Sequence, residues 1–326
     1  MKKNIPVFLV LLVLLSIAGL AGLKAGSVNI PADDILKYMA GENAGDSGFI
    51  VIMKIRLPRI LLAVLIGGML AVSGAVLQAL LRNPLVDPFI TGISSGAAFG
   101  AAAAIIAGFA VISIPAMAGA VITAFAVYRL SVSSGRSDVT NLLLIGVMTG
   151  SFFSALIMML NAVFSRDLAK VVFWLMGDLS GVMSGELKIA WILAGVIIFA
   201  GVVFANDLNI VSAGEEEAKV LGVKTESVKA FYFIGASILA GAAVSLSGVI
   251  GFVGLIIPHI IRRFTGPDMR ILMPASFLGG AFFLLAADTF ARVVFLPAEL
   301  PVGVITGLIG APMFMALLLE KRRRQA

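Results

Sequence analysis

Long apolar stretches dominate this 326-residue sequence. Hydrophobic residues make up 60% of the chain and charged residues only 13%, which leaves too few polar side chains to cover a water-soluble globule of this size. A helix needs about 20 apolar residues to cross the hydrocarbon core of a bilayer. We therefore predict an all-α polytopic membrane protein in which residues 1–326 form a single transmembrane domain.

Apolar runs bounded by charged residues, glycine or proline predict about ten spans. These are Ile5–Leu23, Ile60–Leu80, Ile90–Ala107, Ile112–Leu130, Val139–Leu160, Ile189–Ala205, Ala230–Ser247, Val249–Ile261, Ile271–Phe290 and Leu300–Leu319. The glycine-rich stretch at 247–251 predicts a tight turn between spans seven and eight. The first run is longer than the core of most signal peptides, which favours a retained span over a cleaved one. Most Lys and Arg residues fall on the side of the N-terminus, which predicts cytoplasmic termini.

Several classes of site are excluded by composition. The sequence has no Cys, which excludes disulfides, thiolate metal sites and cysteine nucleophiles, and its single His, His259, cannot form a multi-histidine site within one chain. One His in an apolar stretch is more often buried structure than an axial haem ligand. We therefore predict no catalytic residue, no metal site and no cofactor. The net charge of +6 comes in short clusters rather than a basic face, which argues against nucleic acid.

Two sequence echoes indicate an internal repeat. Ser73-Gly74 precedes Pro84 at the same interval by which Ser247-Gly248 precedes Pro258, and the sequence at 146–150 is echoed at 303–307. Both echoes relate spans 2–5 to spans 7–10. A shift of five spans inverts one half relative to the other, as in the inverted repeats of many transporters. Helices rich in Gly, Val and Ser also produce such matches by chance.

The spans contain almost no charged side chain that could bind a coupling ion. Only His259 and Asp288 fall clearly inside them, and the chain has no G-x-x-x-x-G-K-[ST] phosphate loop. If the protein pumps, its energy therefore arrives from a separate polypeptide. Backbone carbonyls alone can hold sodium, so an ion-coupled secondary transporter that acts without an ATPase is the alternative.

A short surface helix is predicted between spans six and seven. Acidic residues follow Gly214, as they do in a first helical turn, and Gly222 lies where a C-cap would fall. This helix would offer Ala218, Val220 and Leu221 to a partner protein. A solvated linker is the alternative interpretation of the same pattern.

An ordered set of motifs along nearly the whole chain resembles one family, the permease subunits of type II ABC importers for iron–siderophores, haem and vitamin B12. The resembling segments are Arg56-Leu57-Pro58-Arg59, Ser73-Gly74-Ala75-Val76-Leu77-Gln78, Arg82-Asn83-Pro84-Leu85-Val86-Asp87-Pro88, Gly92-Ile93-Ser94-Ser95-Gly96-Ala97, Trp174-Leu175-Met176-Gly177, the loop 214–223, Gly251-Phe252-Val253-Gly254-Leu255-Ile256-Ile257-Pro258-His259, Ala287-Asp288-Thr289-Phe290-Ala291-Arg292 and Glu299-Leu300-Pro301-Val302-Gly303.

The resemblance implies a multi-pass subunit of a bacterial or archaeal cell (inner) membrane that pairs with a second copy or a close paralogue. Two cytoplasmic ATPase subunits and an extracytoplasmic substrate-binding protein would complete the importer. The implied cargo is an iron chelate, a siderophore first, with haem or cobalamin as further options. The ATPase would be coupled through the segment that contains Gly214, Glu215, Glu216, Ala218, Leu221 and Gly222.

The resemblance also assigns residues to the outer face and to the pathway. Arg56, Arg59 and Arg292 would meet acidic residues of the binding protein, although the first two could instead anchor span two at the interface. Arg292 could instead pair with Asp288 four residues earlier. Span five would line the pathway beside an inner gate, with the residues Ser134, Gly135, Thr149, Ser151, Ser154 and Met158. Trp174 is predicted to lie on an interfacial helix.

Overall fold

The computed structural model describes residues 4–26, 28, 30–41, 46–133, 136–137, 139–181, 184–296 and 298–325. Its α-helices are α1 (Ile5–Lys24), α2 (Ala32–Met39), α3 (Ser47–Ile50), α4 (Leu57–Leu80), α5 (Ile93–Ile106), α6 (Ser113–Ser131), α7 (Val139–Val163), α8 (Leu168–Leu175), α9 (Ser184–Val203), α10 (Ala205–Ala213), α11 (Glu215–Val220), α12 (Thr225–Ser247), α13 (Val253–Thr265), α14 (Met269–Val293) and α15 (Val302–Gln325). A π-helical segment, Val51–Arg56, joins α3 to α4, and a 3-10 turn, Ser165–Asp167, precedes α8. The strands β1 (Val132–Ser133) and β2 (Arg136–Ser137) form a small antiparallel pair.

Seven helical segments among the described residues are long and apolar enough to cross a bilayer. They are Ile5–Lys24, Ser47–Leu80, Ser113–Ser131, Val139–Val163, Gly185–Val203, Thr225–Ser247 and Met269–Val293. The other three predicted spans correspond to shorter apolar segments: α5, α13 and the apolar part of α15, Val302–Leu317. The helical membrane architecture is confirmed, while the count of ten and the side of the termini stay predictions.

The break between spans seven and eight lies at the predicted turn. Helix α12 ends at Ser247, and Gly248 follows with φ +69°. An added Cβ at Gly248 would lie 2.1 Å from the carbonyl oxygen of Trp174. Only glycine satisfies both the backbone angle and this close approach.

Helix α4 is the centre of the fold, because nearly all of its residues are buried. Glycine allows its backbone to touch two neighbouring helices. A Cβ at Gly67 would lie 2.2 Å from the carbonyl oxygen of Gly280 in α14, and one at Gly74 would lie 1.9 Å from that of Gly254 in α13. Small residues at such contacts let membrane helices approach closely. The same device joins α5 to α6, where Gly96 and Gly119 face each other.

The predicted start of span two at Ile60 is wrong. The helical segment begins at Ser47 and continues through the π-helical turn into α4. Arg56 and Arg59 lie just before the predicted start, but both side chains are buried. Their charges have partners inside the protein, so they do not end the helix.

The first sequence echo does not lie at equivalent places in the helices. Gly74 is inside α4, whereas Gly248 lies just beyond the end of α12. A different correspondence relates the two halves. Helices α5 and α13 each begin after a residue in the left-handed conformation, Gly92 (φ +77°) and Phe252 (φ +70°). Gly92 contacts α7, and Phe252 contacts Gly310 of α15. The inverted repeat stays a prediction, and this correspondence supports it.

Candidate coupling helix, pathway groove and outer arginine cluster

Helix α11 is a short surface helix with the boundaries that the sequence pattern indicates. Gly214 precedes it in an extended conformation, and Gly222 follows it with φ +78°. The amide of Val223 donates to the carbonyl of Ala218 (3.0 Å), which closes the helix against the next segment. The glutamates at 215–217 lie in its first turn, where negative charge is favoured by the helix dipole.

One face of α11 is apolar and exposed to solvent. Val220 is 88% exposed and Leu221 is 68% exposed. Exposed aliphatic side chains on a helix whose own ends are satisfied form a natural contact for a partner protein. Ala218 was expected on the same face, and this expectation is wrong. Ala218 is fully buried, because it lies on the side of the helix that packs against the protein.

A buried lysine fixes α11 to the body of the protein. Lys229 of α12 is 2% exposed and forms ion pairs with Glu215 and with Glu226, the latter at 2.9 Å. On its other side, Glu215 lies 3.6 Å from the guanidinium of Arg82. Glu215 therefore joins α11 to α12 and to the segment after α4. The sequence pattern alone did not identify Lys229 or Arg82.

A groove runs along α7 on the surface of the chain. Its main part has a volume of about 590 Å³, and its lining includes Ser151, Ser154 and Met158. An adjoining cavity of about 410 Å³ shares Ser154 and Met158 and adds Asn161. Each of these serine hydroxyls donates to the carbonyl four residues earlier in α7 (2.9–3.0 Å). The hydroxyls are thus satisfied within the helix and present a weakly polar wall.

Three of the predicted pathway residues therefore line one groove. Thr149 does not line it, and its hydroxyl donates to the carbonyl of Ile145 at 2.7 Å. Ser134 and Gly135, predicted at an inner gate, lie outside the described residues. The groove also contains Phe89 and Ile90 from the segment between α4 and α5, and sequence reasoning did not include these two residues.

An ion-pair cluster links α4 to α14 and to the segment that precedes α15. The guanidinium of Arg59 donates to both carboxylate oxygens of Asp288 at 2.9–3.1 Å and to Glu299 at 2.6 Å. Asp288 is fully buried and also lies 3.3 Å from Nε of Arg292. A charge at this depth is stable only with such partners. The pairing of Arg292 with Asp288, considered from the sequence, is present.

Arg56 and Arg292 also donate hydrogen bonds to backbone carbonyls at the C-terminal end of α1. Arg56 donates to the carbonyls of Leu23 (2.5 Å) and Lys24 (3.1 Å), and Arg292 donates to that of Gly22 (3.1 Å). The last carbonyls of a helix lack partners within it and carry partial negative charge. The two guanidinium groups therefore hold the end of α1 against the π-helical segment before α4 and against α14.

The placement of these arginines differs from the expected docking surface. Arg56, Arg59 and Arg292 are only 4%, 8% and 3% exposed, and all three make contacts within the chain. Side chains that meet another protein through free charge would be open to solvent. In this structure the cluster holds helices together, and its most exposed charged group is the carboxylate of Glu299.

The motif at 174–177 lies where three parts of the fold meet. Its helix α8 confirms the predicted helical stretch, and the half-buried Trp174 packs against a buried cluster that includes Ala98, Ile105 and Val171. A Cβ at Gly303, near the start of α15, would lie 2.3 Å from the carbonyl oxygen of Met176. The end of α8, the loop after α12 and the start of α15 thus meet backbone to backbone.

The segment between α4 and α5 contains a buried carboxyl group. Asp87 accepts a hydrogen bond from the amide of Phe89 at 2.9 Å. Burial raises the pKa of Asp87 to about 6, although hydrogen bonds from the backbone oppose the shift. At the other extreme, Asp268 caps α14 and pairs with Arg270 (2.7 Å), which lowers its pKa to about 2.

The described part of the chain contains no group of three or more His, Cys, Asp or Glu side chains that could hold a metal ion. Its two candidate surfaces, the exposed face of α11 and the groove along α7, are suited to contact rather than to bond-breaking chemistry. The model of the FecCD transport family matches residues 11–320. The chain belongs to this family. It is a multi-pass permease subunit of an ABC importer, and ATP hydrolysis belongs to a separate subunit.

Relatives of this FecCD chain include importers with different cargo names. It is 44% identical to the cobalamin import system permease protein BtuC of Halobacterium salinarum over 84% of this chain and 75% of that protein. It is 37% identical to the hemin transport system permease protein HmuU of Yersinia pestis over 97% and 96% of the two chains. A solved structure described as an inward-facing metal-chelate type ABC transporter has a TM-score of 0.85 at 32% identity and covers 96% of this chain and 98% of its own.

Proposed function

We propose that this FecCD permease moves a metal chelate through a pathway that two copies of the chain form together. The observation that carries the proposal is the groove along α7, which lies open on the surface of a single chain. Around it, α7 exposes large apolar side chains such as Met148, Phe152 and Met159. A second copy, or a close paralogue, would cover this face and close the groove into a channel.

The side chains that line the groove suit a bulky cargo that has to move along it. Its wall combines apolar groups and Met158 with hydroxyls that are already bonded within α7. No charged side chain is present among the residues that line it. Such a wall would bind the cargo weakly, so the selectivity among cargo molecules would come from the binding protein. We place an iron chelate first, with haem and cobalamin as further options, in line with the cargo names of the relatives.

The exposed face of α11 is the proposed seat of the ATPase. Val220 and Leu221 would enter a cleft of that subunit, while Glu215 and Gly214 fix the helix to the permease. Glu216 is exposed and pairs with Lys219 at 2.7 Å, so it would lie at the edge of this contact. Gly222 ends the helix and returns the chain to α12.

We also propose that the binding protein docks near the outer arginine cluster. Because the guanidinium groups of Arg56, Arg59 and Arg292 are occupied, they would act by holding the surface in place. The half-exposed carboxylate of Glu299 would be the part of the cluster that a partner meets first.

The absence of Cys from the chain allows a direct test of the paired groove. A bulky maleimide on a single Met158→Cys substitution should stop ATP-driven uptake. Gly195→Cys in α9, an open position away from the groove, is the matched control, and the same label on it should leave uptake unchanged. A labelled Met158→Cys protein that transports normally would contradict the proposed pathway.

An ion-coupled secondary transporter, the alternative from the sequence, does not fit a permease of the FecCD family. The described spans contain Asp288, but its carboxylate is occupied by Arg59 and Arg292. A coupling ion would have to displace these partners. Uptake that continues without ATP and follows a proton or sodium gradient would favour this alternative.

A further inference from the structure

The segment between α4 and α5, residues 81–92, connects the two surfaces described above. At its start, Arg82 lies 3.6 Å from Glu215, the first residue of α11. Near its end, Phe89 and Ile90 form part of the groove wall. One short segment thus contacts the proposed seat of the ATPase and the proposed pathway. We call residues 81–92 the connecting segment.

The connecting segment is a chain of consecutive turns. The amide of Leu85 donates to the side chain of Asn83 (2.9 Å), and the amide of Phe89 donates to that of Asp87 (2.9 Å). The hydroxyl of Thr91 then donates to the carbonyl of Pro88 (2.6 Å). Two prolines further restrict the backbone. A segment of this kind moves as a stiff unit rather than absorbing a displacement of one end.

Its other contacts define how the segment is held. Gln78 of α4 donates to the carbonyls of Val86 (3.3 Å), Gly254 (3.2 Å) and Leu255 (3.1 Å). This amide holds the middle of the segment against α13. The Arg82 end is attached to α11 through Glu215, and the other end, at Gly92, contacts Gly146 of α7.

The conformation of Arg82 indicates that its position matters. Its φ is +47°, and only one other non-glycine residue in the described ranges, Phe252, has a positive φ. A non-glycine residue in this region is strained. This conformation turns the chain sharply after α4, and the guanidinium of Arg82 lies near Glu215 as a result.

We propose that Arg82 and Glu215 transmit the movement of α11 to the groove. A displacement of α11 by the ATPase would move Arg82 through this ion pair, and the stiff connecting segment would carry the displacement to Phe89 and Ile90. Both are positioning residues, since neither contacts cargo. This inference rests on the proposed function of α11 and α7, and it adds the residues that connect them.

If Arg82 and Glu215 had only a structural role, removing their ion pair would have little effect on transport. The Arg82 side chain is 39% exposed and the ion pair is 3.6 Å long, and pairs of this kind contribute little to folding. Removing Arg82 should therefore leave the chain folded and bound to its ATPase. A large loss of transport would then report a loss of transmission.

The test uses the complete importer in proteoliposomes, with cargo uptake and ATP hydrolysis measured in the same sample. Arg82→Ala should lower the cargo moved per ATP by at least about threefold, a coupling change of ordinary size, while ATPase binding by co-purification stays unchanged. Arg82→Lys keeps the charge and should restore much of the ratio. Arg270→Ala is the matched control and should keep the wild-type ratio, because the ion pair that Arg270 forms within the described ranges is with Asp268, two residues earlier.

Two results would overturn the inference: an unchanged ratio in Arg82→Ala, or a loss of ATPase binding, which would make Arg82 part of the docking surface. A wild-type chain that does not bind an ATPase would instead overturn the proposed function. If Arg82→Ala does not insert, hydrogen exchange on the wild-type complex decides. A non-hydrolysable ATP analogue should change protection at both 214–223 and 81–92, and a change confined to 214–223 would contradict transmission.

Discussion

Replacing Arg59 with alanine should destabilise the protein strongly. Asp288 is fully buried, and Arg59 supplies its hydrogen bonds at 2.9–3.1 Å. Breaking a buried ion pair by removing one partner typically costs about 3–5 kcal/mol. Arg292 would remain 3.3 Å from the carboxylate, and its Nε has no hydrogen-bond partner. We therefore expect a loss near the lower end of that range, about 3 kcal/mol.

Thermal unfolding of the purified chain in lipid nanodiscs measures this effect. Arg59→Ala should lower Tm by on the order of 5–10 °C. Lys170→Ala removes an exposed ion pair with Asp167 (2.8 Å) and should cost less than about 1 kcal/mol. The double substitution Arg59→Met with Asp288→Asn removes both charges and should recover part of the loss. A wild-type Tm for Arg59→Ala, together with lost binding of the substrate-binding protein, would refute the buried-cluster reasoning.

Three further outcomes are expected. Gly74→Ala should lower Tm, since its Cβ would lie 1.9 Å from a backbone oxygen and overpacking costs about 1–3 kcal/mol or more. A Cβ at Gly195 would meet open space, so Gly195→Ala should not lower Tm. Equal Tm values for the two variants would contradict the close helix contact at Gly74. Leu221→Asp should leave Tm unchanged, because the side chain is exposed, but abolish co-purification with the ATPase; retained binding would remove α11 from that role. The raised pKa of Asp87, about 6, means that its contribution to stability is complete below pH 3.8 and is lost as pH rises through 6. The loss is about 3 kcal/mol by pH 7, so unfolding free energies at pH 4.5 and 7.5 should differ less in Asp87→Asn than in wild type.

Local signals in the sequence predicted several elements correctly. The glycine-rich stretch after Ser247 marks the end of α12, because the turn requires a positive φ that glycine adopts easily. The acidic first turn and Gly222 mark α11 in the same way. Each of these features depends on residues close together in the chain.

The errors concern partners that are distant in sequence. Arg59 looked like the polar end of a span, because Asp288 lies 229 residues away and its pairing leaves no local trace. The orientation of Ala218 depends in the same way on how α11 packs against the rest of the chain. Phe89 and Ile90 reach the groove through several successive turns, and the direction of such a segment cannot be obtained from hydrophobic periodicity.

The source of energy for transport is the most direct test of this account. The purified chain, its ATPase subunits and its binding protein should be reconstituted in vesicles, and uptake of a labelled iron chelate, haem or cobalamin measured with ATP or with an imposed ion gradient. We predict accumulation only with ATP and only when all partners are present. Accumulation by the permease alone, driven by a proton or sodium gradient, would contradict it.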